Sequence, residues 1–269
     1  MSLKFCSFAS GSTGNCYLIA NQETGLLLDP GITGRKIFEN LEKCGLRPEG
    51  IGGIFVTHEH IDHVKSLRMV SRMTGAPVYG TRGTLGALSD RILTDKVVLP
   101  AEKGAVTLGS IKVETFALSH DSAEPCGYSF SEETPAGSRR ITVLTDSGII
   151  TEEQMSFLKK SDLIVLEANH ERNVLLMGKY PYHLKLRILG EKGHISNEDA
   201  AFNLARMLKE REDGKVPTIA LAHLSSENNT PDMAYVTVKN ILFDEDLYEK
   251  KHYHMTVVTR DEMSPMFEI

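Results

Sequence analysis

A chain of 269 residues, 41% hydrophobic and 25% charged, has the composition of an ordinary globular protein and room for a sizeable core. Its net charge of −6 would usually argue against a polyanionic partner, but bound divalent cations reverse that balance locally, so charge excludes neither nucleic acid nor a small substrate. No run is apolar over the length of a membrane span, the N-terminus lacks a secretory pattern, and the four scattered cysteines (Cys6, Cys16, Cys44, Cys126) include no CxxC pair; a single domain over 1–269, a cytoplasmic location and no membrane contact are expected.

In chain order, residues 3–9 and 16–20 read as strands joined by Ser10-Gly11-Ser12-Thr13-Gly14-Asn15. This connection is either a plain hairpin loop or an anion contact involving Ser12 and Asn15. Residues 25–28 form a buried strand that ends in Asp29-Pro30-Gly31. A helix is predicted over 35–44, with Gly45 as its stop. An apolar strand then runs into Thr57-His58-Glu59-His60-Ile61-Asp62-His63, and helical spacing resumes over 62–73.

Ten histidines in 269 residues make three within six positions improbable as a surface loop. Imidazoles and a carboxylate are the ligands that borderline divalent metals prefer. His58 and His60, two apart, can point the same way from a strand end. Asp62 and His63 lie past the bend and can face a second ion. One zinc ion is saturated by three such ligands plus water, so a fourth suggests two metals. Asp29 can support this turn from behind or cap its own.

Further on, a short strand (78–80), a helix (81–88) and two strands around the turn at 108–110 are expected, the second ending at His120. Residues 127–131 and 140–144 pair as a hairpin, with 132–139 as a mobile polar loop; the second arm ends at Asp146. A helix (151–160) precedes the strand 162–167, which ends in Glu167. An amphipathic helix over 197–212 is N-capped by Asn197, the strand 217–224 carries His223, and a helix (232–243) and a strand (255–259) close the chain. Strand-rich halves separated by helices predict a mixed α/β (α+β) class: a four-layer αββα sandwich.

His120, Asp146, Glu167 and His223 all stand at ends of apolar strands. Strand ends on one rim of a sheet converge, so these residues are a second candidate ligand set. Asp146 has two oxygens and can bridge two ions; His223 would complete the second.

His58-x-His60-x-Asp62-His63, then His120, Asp146 and His223, resemble the metal motifs of the metallo-β-lactamase-fold superfamily, with Asp29 at its structural aspartate. Phe8-Ala9-Ser10-Gly11-Ser12-Thr13-Gly14-Asn15-Cys16, Glu167-Ala168-Asn169-His170 and Gly193-His194-Ile195-Ser196-Asn197 resemble its WalJ (YycJ) group of cytoplasmic 5′→3′ DNA exonucleases. The resemblance implies that fold and activity, and DNA over RNA. It implies two divalent ions, Mn²⁺ or Zn²⁺: one held by His58, His60, His120 and Asp146, the other by Asp62, His63, Asp146 and His223. There is no room for the β-CASP insertion of larger nucleases. The order Glu167…His194…His223 also resembles tRNA 3′-processing nucleases, where a glutamate orients a histidine that protonates the leaving group.

The implied reaction is a hydroxide, activated by both ions and contacted by Asp62, attacking phosphorus in line. His194, held by Glu167, would protonate the departing 3′-oxygen. Ser196 is read as a substrate contact, and His170 as a contact to substrate phosphate, to a metal or to neither. Residues 179–192 hold Lys179, Lys185, Arg187 and Lys192 against Glu191, with Tyr180 and Tyr182 interleaved; Lys185 and Arg187 are read as a phosphate track. Two rivals use the same ligands: a small-molecule hydrolase such as a thioesterase of glyoxalase II type, which needs no general acid, and a metal-stabilised module without turnover. The sequence indicates no oligomeric state.

Overall fold

The computed structural model describes residues 2–135 and 137–269. Its strands are β1 (Lys4–Ala9), β2 (Cys16–Ala20), β3 (Gly25–Leu28), β4 (Ile51–Phe55), β5 (Val78–Gly80), β6 (Lys96–Val98), β7 (Ala105–Leu108), β8 (Ile111–Ala117), β9 (Cys126–Thr134), β10 (Gly137–Leu144), β11 (Leu163–Glu167), β12 (Thr218–Ala222), β13 (His254–Val257) and β14 (Phe267–Glu268). Its helices are α1 (Gly34–Lys43), α2 (Ile61–Val64), α3 (Leu67–Thr74), α4 (Arg82–Ala87), α5 (Glu152–Leu158), α6 (Arg172–Met177), α7 (Tyr182–Leu189), α8 (Asn197–Lys209) and α9 (Pro231–Asp244). Both mixed strand pairing and helices are present, as the expected α+β class requires. No helix among the described residues is long and apolar enough to cross a membrane.

The chain divides into two compact units, the first comprising residues up to 117, 122–139 and 260–269, the second 118–121 and 140–259. In the first unit a sheet runs in the order β14-β1-β2-β3-β4-β5-β6. β1, β2 and β3 pair antiparallel, whereas β3, β4, β5 and β6 pair parallel. β3 is buried along its whole length, which explains its unbroken Gly-Leu-Leu-Leu sequence. The same unit holds the antiparallel ladder β7-β8-β9. Phe55 of β4 packs edge-on against Tyr128 and Phe130 of β9, at 5.3 and 5.8 Å between ring centres, so sheet faces sheet here. The opposite face is covered by α1 and α3 through Ile37, Leu41, Leu67 and Val70. Burying each such side chain contributes about 1.5–3 kcal/mol.

In the second unit β10, β11, β12 and β13 pair in parallel, with Leu144, Leu166 and Leu221 in register. Their carboxyl ends therefore lie side by side, and ligands of open parallel sheets collect at that edge. α5, α8 and α9 connect these strands.

Three local expectations are corrected, and one element is added. The helix read over 62–73 breaks at Ser66, whose N–H donates to Pro30 O (2.9 Å) and whose Oγ donates to Ile32 O (2.6 Å); these bonds pull the chain out of helical register. The polar stretch 132–139 is not a long loop: β9 continues to Thr134 and β10 resumes at Gly137, whose φ of 111° suits glycine, while Ala136 lies outside the described residues. Ser196, not Asn197, caps α8, in a reciprocal capping box with Asp199, and that helix stops at Lys209. The basic stretch after Lys179 lies largely on α7, a helix with no buried residue. Its lack of an apolar face to seat in a core removes the usual periodic signal.

Candidate metal-ligand sites

In the first unit the candidate ligands cluster where β4 ends. The rest of the unit holds the turn. Asp29, fully buried, accepts from Thr57 N–H and Thr57 Oγ1, both at 2.8 Å, and lies 2.9 Å from His63 Nδ1. Thr57 Oγ1 also lies 2.9 Å from His58 Nδ1. Both histidines are thus held by one ring nitrogen, which orients the other, the usual device behind metal-binding imidazoles. His58 Nε2 and His60 Nδ1 sit 3.1 Å apart, and His63 Nε2 lies 3.5 Å from Asp62 Oδ2.

The loop between β1 and β2 packs on this turn. Asn15 N–H donates to Asp62 O (2.8 Å), and its Nδ2 lies 3.0 Å from His63 Nε2. Asn15 is fully buried; Ser12 is exposed at the tip of the loop. Gly31 is required by the close approach: a Cβ there would lie 1.7 Å from Asp62 O.

In the second unit the candidate ligands follow neighbouring strands. Asp146 follows β10, Glu167 ends β11 and His223 follows β12. Asp146 and His223 hold φ of 59° and 55°, as Asp29 does at 53°, in the left-handed region that costs a non-glycine residue about 1–3 kcal/mol. Strain of this kind at three strand ends marks places where the side chain's aim matters more than local comfort. One ligand atom each from Asp146, Glu167, His194 and His223 lies within 4.8 Å of all the others.

Glu167 is the hub. Its Oε1 lies 2.7 Å from His194 Nδ1 and 2.8 Å from His223 Nδ1; its Oε2 accepts from Ser147 N–H (3.3 Å) and Ile195 N–H (3.4 Å). Burial alone would raise its pKa, but the charges and hydrogen bonds of His194 and His223 outweigh that and hold the carboxyl well below the usual range. His194 shows the reciprocal effect: burial opposes its charge, yet Glu167, with Asp146 and Asp121, pushes the imidazole up to about 9. His223 is raised against its own burial by Asp146 and Glu167. His223 Nε2 lies 3.4 Å from Asp146 Oδ1. His120 Nε2 lies 3.5 Å from Asp121 and 4.0 Å from Asp146, its Nδ1 3.3 Å from Gly193 O; burial lowers its pKa. Gly193 is another close approach, since a Cβ there would lie 2.1 Å from Ile188 O.

The remaining expected contacts are placed differently. His170 is fully buried, its ring nitrogens have no hydrogen-bond partner among the described residues, and burial lowers its pKa to about 4. Ser196 Oγ is 2.7 Å from Asp199 Oδ2. Lys185 Nζ donates to Leu176 O and Gly178 O, both at 2.7 Å, and Arg187 pairs with Asp121. Thr57, Ser147 and Asp121 were not singled out by sequence reading; only Thr57 and Asp121, each beside a candidate histidine, leave any signal there.

The donor chemistry fits a divalent metal. Each unit gathers imidazole nitrogens and carboxylate oxygens, buried or half-buried, with orienting partners on the far ring nitrogen.

A model of the β-lactamase superfamily domain matches residues 24–215. The exodeoxyribonuclease YycJ of Bacillus anthracis is 36% identical over 245 residues, 90% of this chain and 90% of its own. The exodeoxyribonuclease WalJ of Streptococcus pneumoniae is 33% identical over 271 residues, 99% of this chain and 98% of its own. Among solved structures, the metallo-beta-lactamase fold protein YhfI of Bacillus subtilis matches with a TM-score of 0.71 at 15% identity, over 100% of this chain and 99% of that one, a likeness of fold.

Proposed function

Since this chain belongs to the β-lactamase superfamily, among relatives that include exodeoxyribonucleases, we propose that it is a metal-dependent exodeoxyribonuclease that uses a histidine general acid and acts from the 5′ end. Two divalent ions, manganese or zinc, one on His58, His60, His120 and Asp146 and one on Asp62, His63, Asp146 and His223, would supply the Lewis acidity that activates water and offsets phosphate charge. A cytoplasmic location belongs to the same reading.

The chain's own residues do the rest. Asp29 and Thr57 fix the rings of His63 and His58. Glu167 fixes the rings of His194 and His223 by their Nδ1 atoms. Asp62 accepts a hydrogen bond from the attacking water and orients it. His194 then carries its proton on Nε2, because Nδ1–H is committed to Glu167. With a pKa of about 9 it is charged at neutral pH, as a general acid must be before it protonates the departing 3′-oxygen.

The observation that carries this reading is the 2.7 Å contact between Glu167 and His194. A thioesterase of the same fold expels a thiolate, a leaving group that needs no such acid. A binding module without turnover needs no charged imidazole that keeps one edge open to solvent. The test is His194→Ala, with bound metal measured alongside DNA hydrolysis. Retained metal with a loss of about a hundredfold or more in turnover is expected. Equal loss of metal and activity would remove the acid role.

A further inference from the structure

The cations that the sequence offers as a phosphate track are partly committed, Lys185 to two backbone carbonyls and Arg187 to Asp121. A second set of cations lies on the first unit. Between α3 and the chain near Leu93 runs a groove of about 380 Å³, lined by Lys65, Ser66, Arg68, Met69, Arg72 and Leu93. It contains three cations and no acid. Among the described residues no carboxylate contacts Lys65, Arg68 or Arg72. Arg68 Nη1 donates to the backbone carbonyl of Asp90 at 2.6 Å, which fixes the guanidinium without neutralising it. In a chain of net charge −6, an unneutralised row of this kind is a local reversal of sign.

The row has direction as well as charge. Lys65 stands two residues after His63, at the exit of the metal-ligand turn. Arg68 and Arg72 follow on α3, one turn apart, or about 6 Å along the axis. Met69 and Leu93, 43% and 47% exposed, form an apolar wall beside them, with Met73 at 46%. Unbranched thioethers adapt to irregular apolar surfaces, including the faces of bases. A cationic row beside an apolar wall is the recognition chemistry of a single strand, whose phosphates and bases lie on opposite sides. Guanidinium groups also match phosphate oxygens in pairs.

We infer that this groove binds the sugar–phosphate backbone of a single DNA strand and guides it to the His58–His63 turn. The inference rests on the nuclease reading above and adds the residues that hold the substrate. It assigns Arg68 and Arg72 to phosphates and Met69 and Leu93 to bases.

The test uses the metal-loaded protein and a fluorescent single strand whose phosphorothioate links resist cleavage. Binding is measured by anisotropy over a salt series for wild type, Arg68→Gln/Arg72→Gln and Arg68→Lys/Arg72→Lys. Loss of two phosphate contacts on a single strand lowers the slope of log affinity against log salt by about 1.4. That drop is expected for the glutamine variant, with bis(4-nitrophenyl) phosphate hydrolysis unchanged, and the lysine variant keeps the wild-type slope. If wild type binds and cuts DNA while the glutamine variant keeps the same slope, the groove assignment falls alone. It also falls if the glutamine variant loses hydrolysis of the small diester, or if poly-glutamate competes as well as DNA of equal charge. If wild type neither binds nor cuts DNA, the nuclease reading falls with it.

Discussion

Replacing Glu167 by glutamine removes one negative charge from a fully buried position and keeps the shape of the side chain. The carboxylate that now faces His194 Nδ1 and His223 Nδ1 becomes an amide with one acceptor and one donor. It cannot accept from both rings through the same charged group. His194 loses its strongest source of positive-charge stabilisation, and burial, which already opposes its charge, takes over. A fall from about 9 to the ordinary 6.5 corresponds to about 3 kcal/mol of lost preference for the imidazolium. At pH 7.5 the protonated fraction would drop from about 97% to about 9%, roughly tenfold, before any loss of ring orientation is counted. The assay is kcat for hydrolysis of 5′-labelled DNA between pH 5.5 and 9, with bound metal measured for each protein. The variant should trail wild type at least tenfold at pH 7.5 and approach it near pH 5.5, where His194 is charged in both proteins. Parallel profiles across the whole range would refute the role of Glu167 in holding the His194 proton.

Two further outcomes follow from the same contacts. In metal-free protein, His194 has a folded pKa near 9 and an unfolded value near 6.5, so the stability it contributes is complete below about pH 6.5 and is lost as pH rises through 9. Urea midpoints of the chelator-treated protein should fall between pH 7 and 9.5, and His194→Ala should flatten that slope; an unchanged slope would contradict the assignment. Asp29→Ala strands the N–H and hydroxyl of Thr57 and the Nδ1 of His63, all of them buried, costing about 2–4 kcal/mol. Thermal melting should show that loss, and metal titration should show weakened binding; full metal affinity in a destabilised protein would limit Asp29 to a folding role.

Much of the candidate site is legible before folding because its candidate ligands are placed by strand ends. His58, Asp146, Glu167 and His223 each follow an apolar run, and a strand that ends in a polar residue announces itself in sequence. The supporting contacts do not. Asp29 to Thr57 spans 28 positions, Asn15 to His63 spans 48 and Glu167 to His223 spans 56, and no local periodicity records such pairings. The same limit explains the break at Ser66, whose partners lie on another element. It also explains why the strip around Lys185 read as free charge: its ammonium group is bound to carbonyls that only the fold brings near. Helices α6 and α7 were hidden because α7 has no buried face and therefore no pattern.

The most direct measurement of the central claim is hydrolysis of DNA labelled at its 5′ end by chelator-stripped protein, with and without added Mn²⁺ or Zn²⁺. Release of labelled nucleotides only when a divalent ion is restored is predicted, with no matching activity on a thioester. Absence of nucleotide release at any ion concentration, or turnover of the thioester in its place, would contradict it.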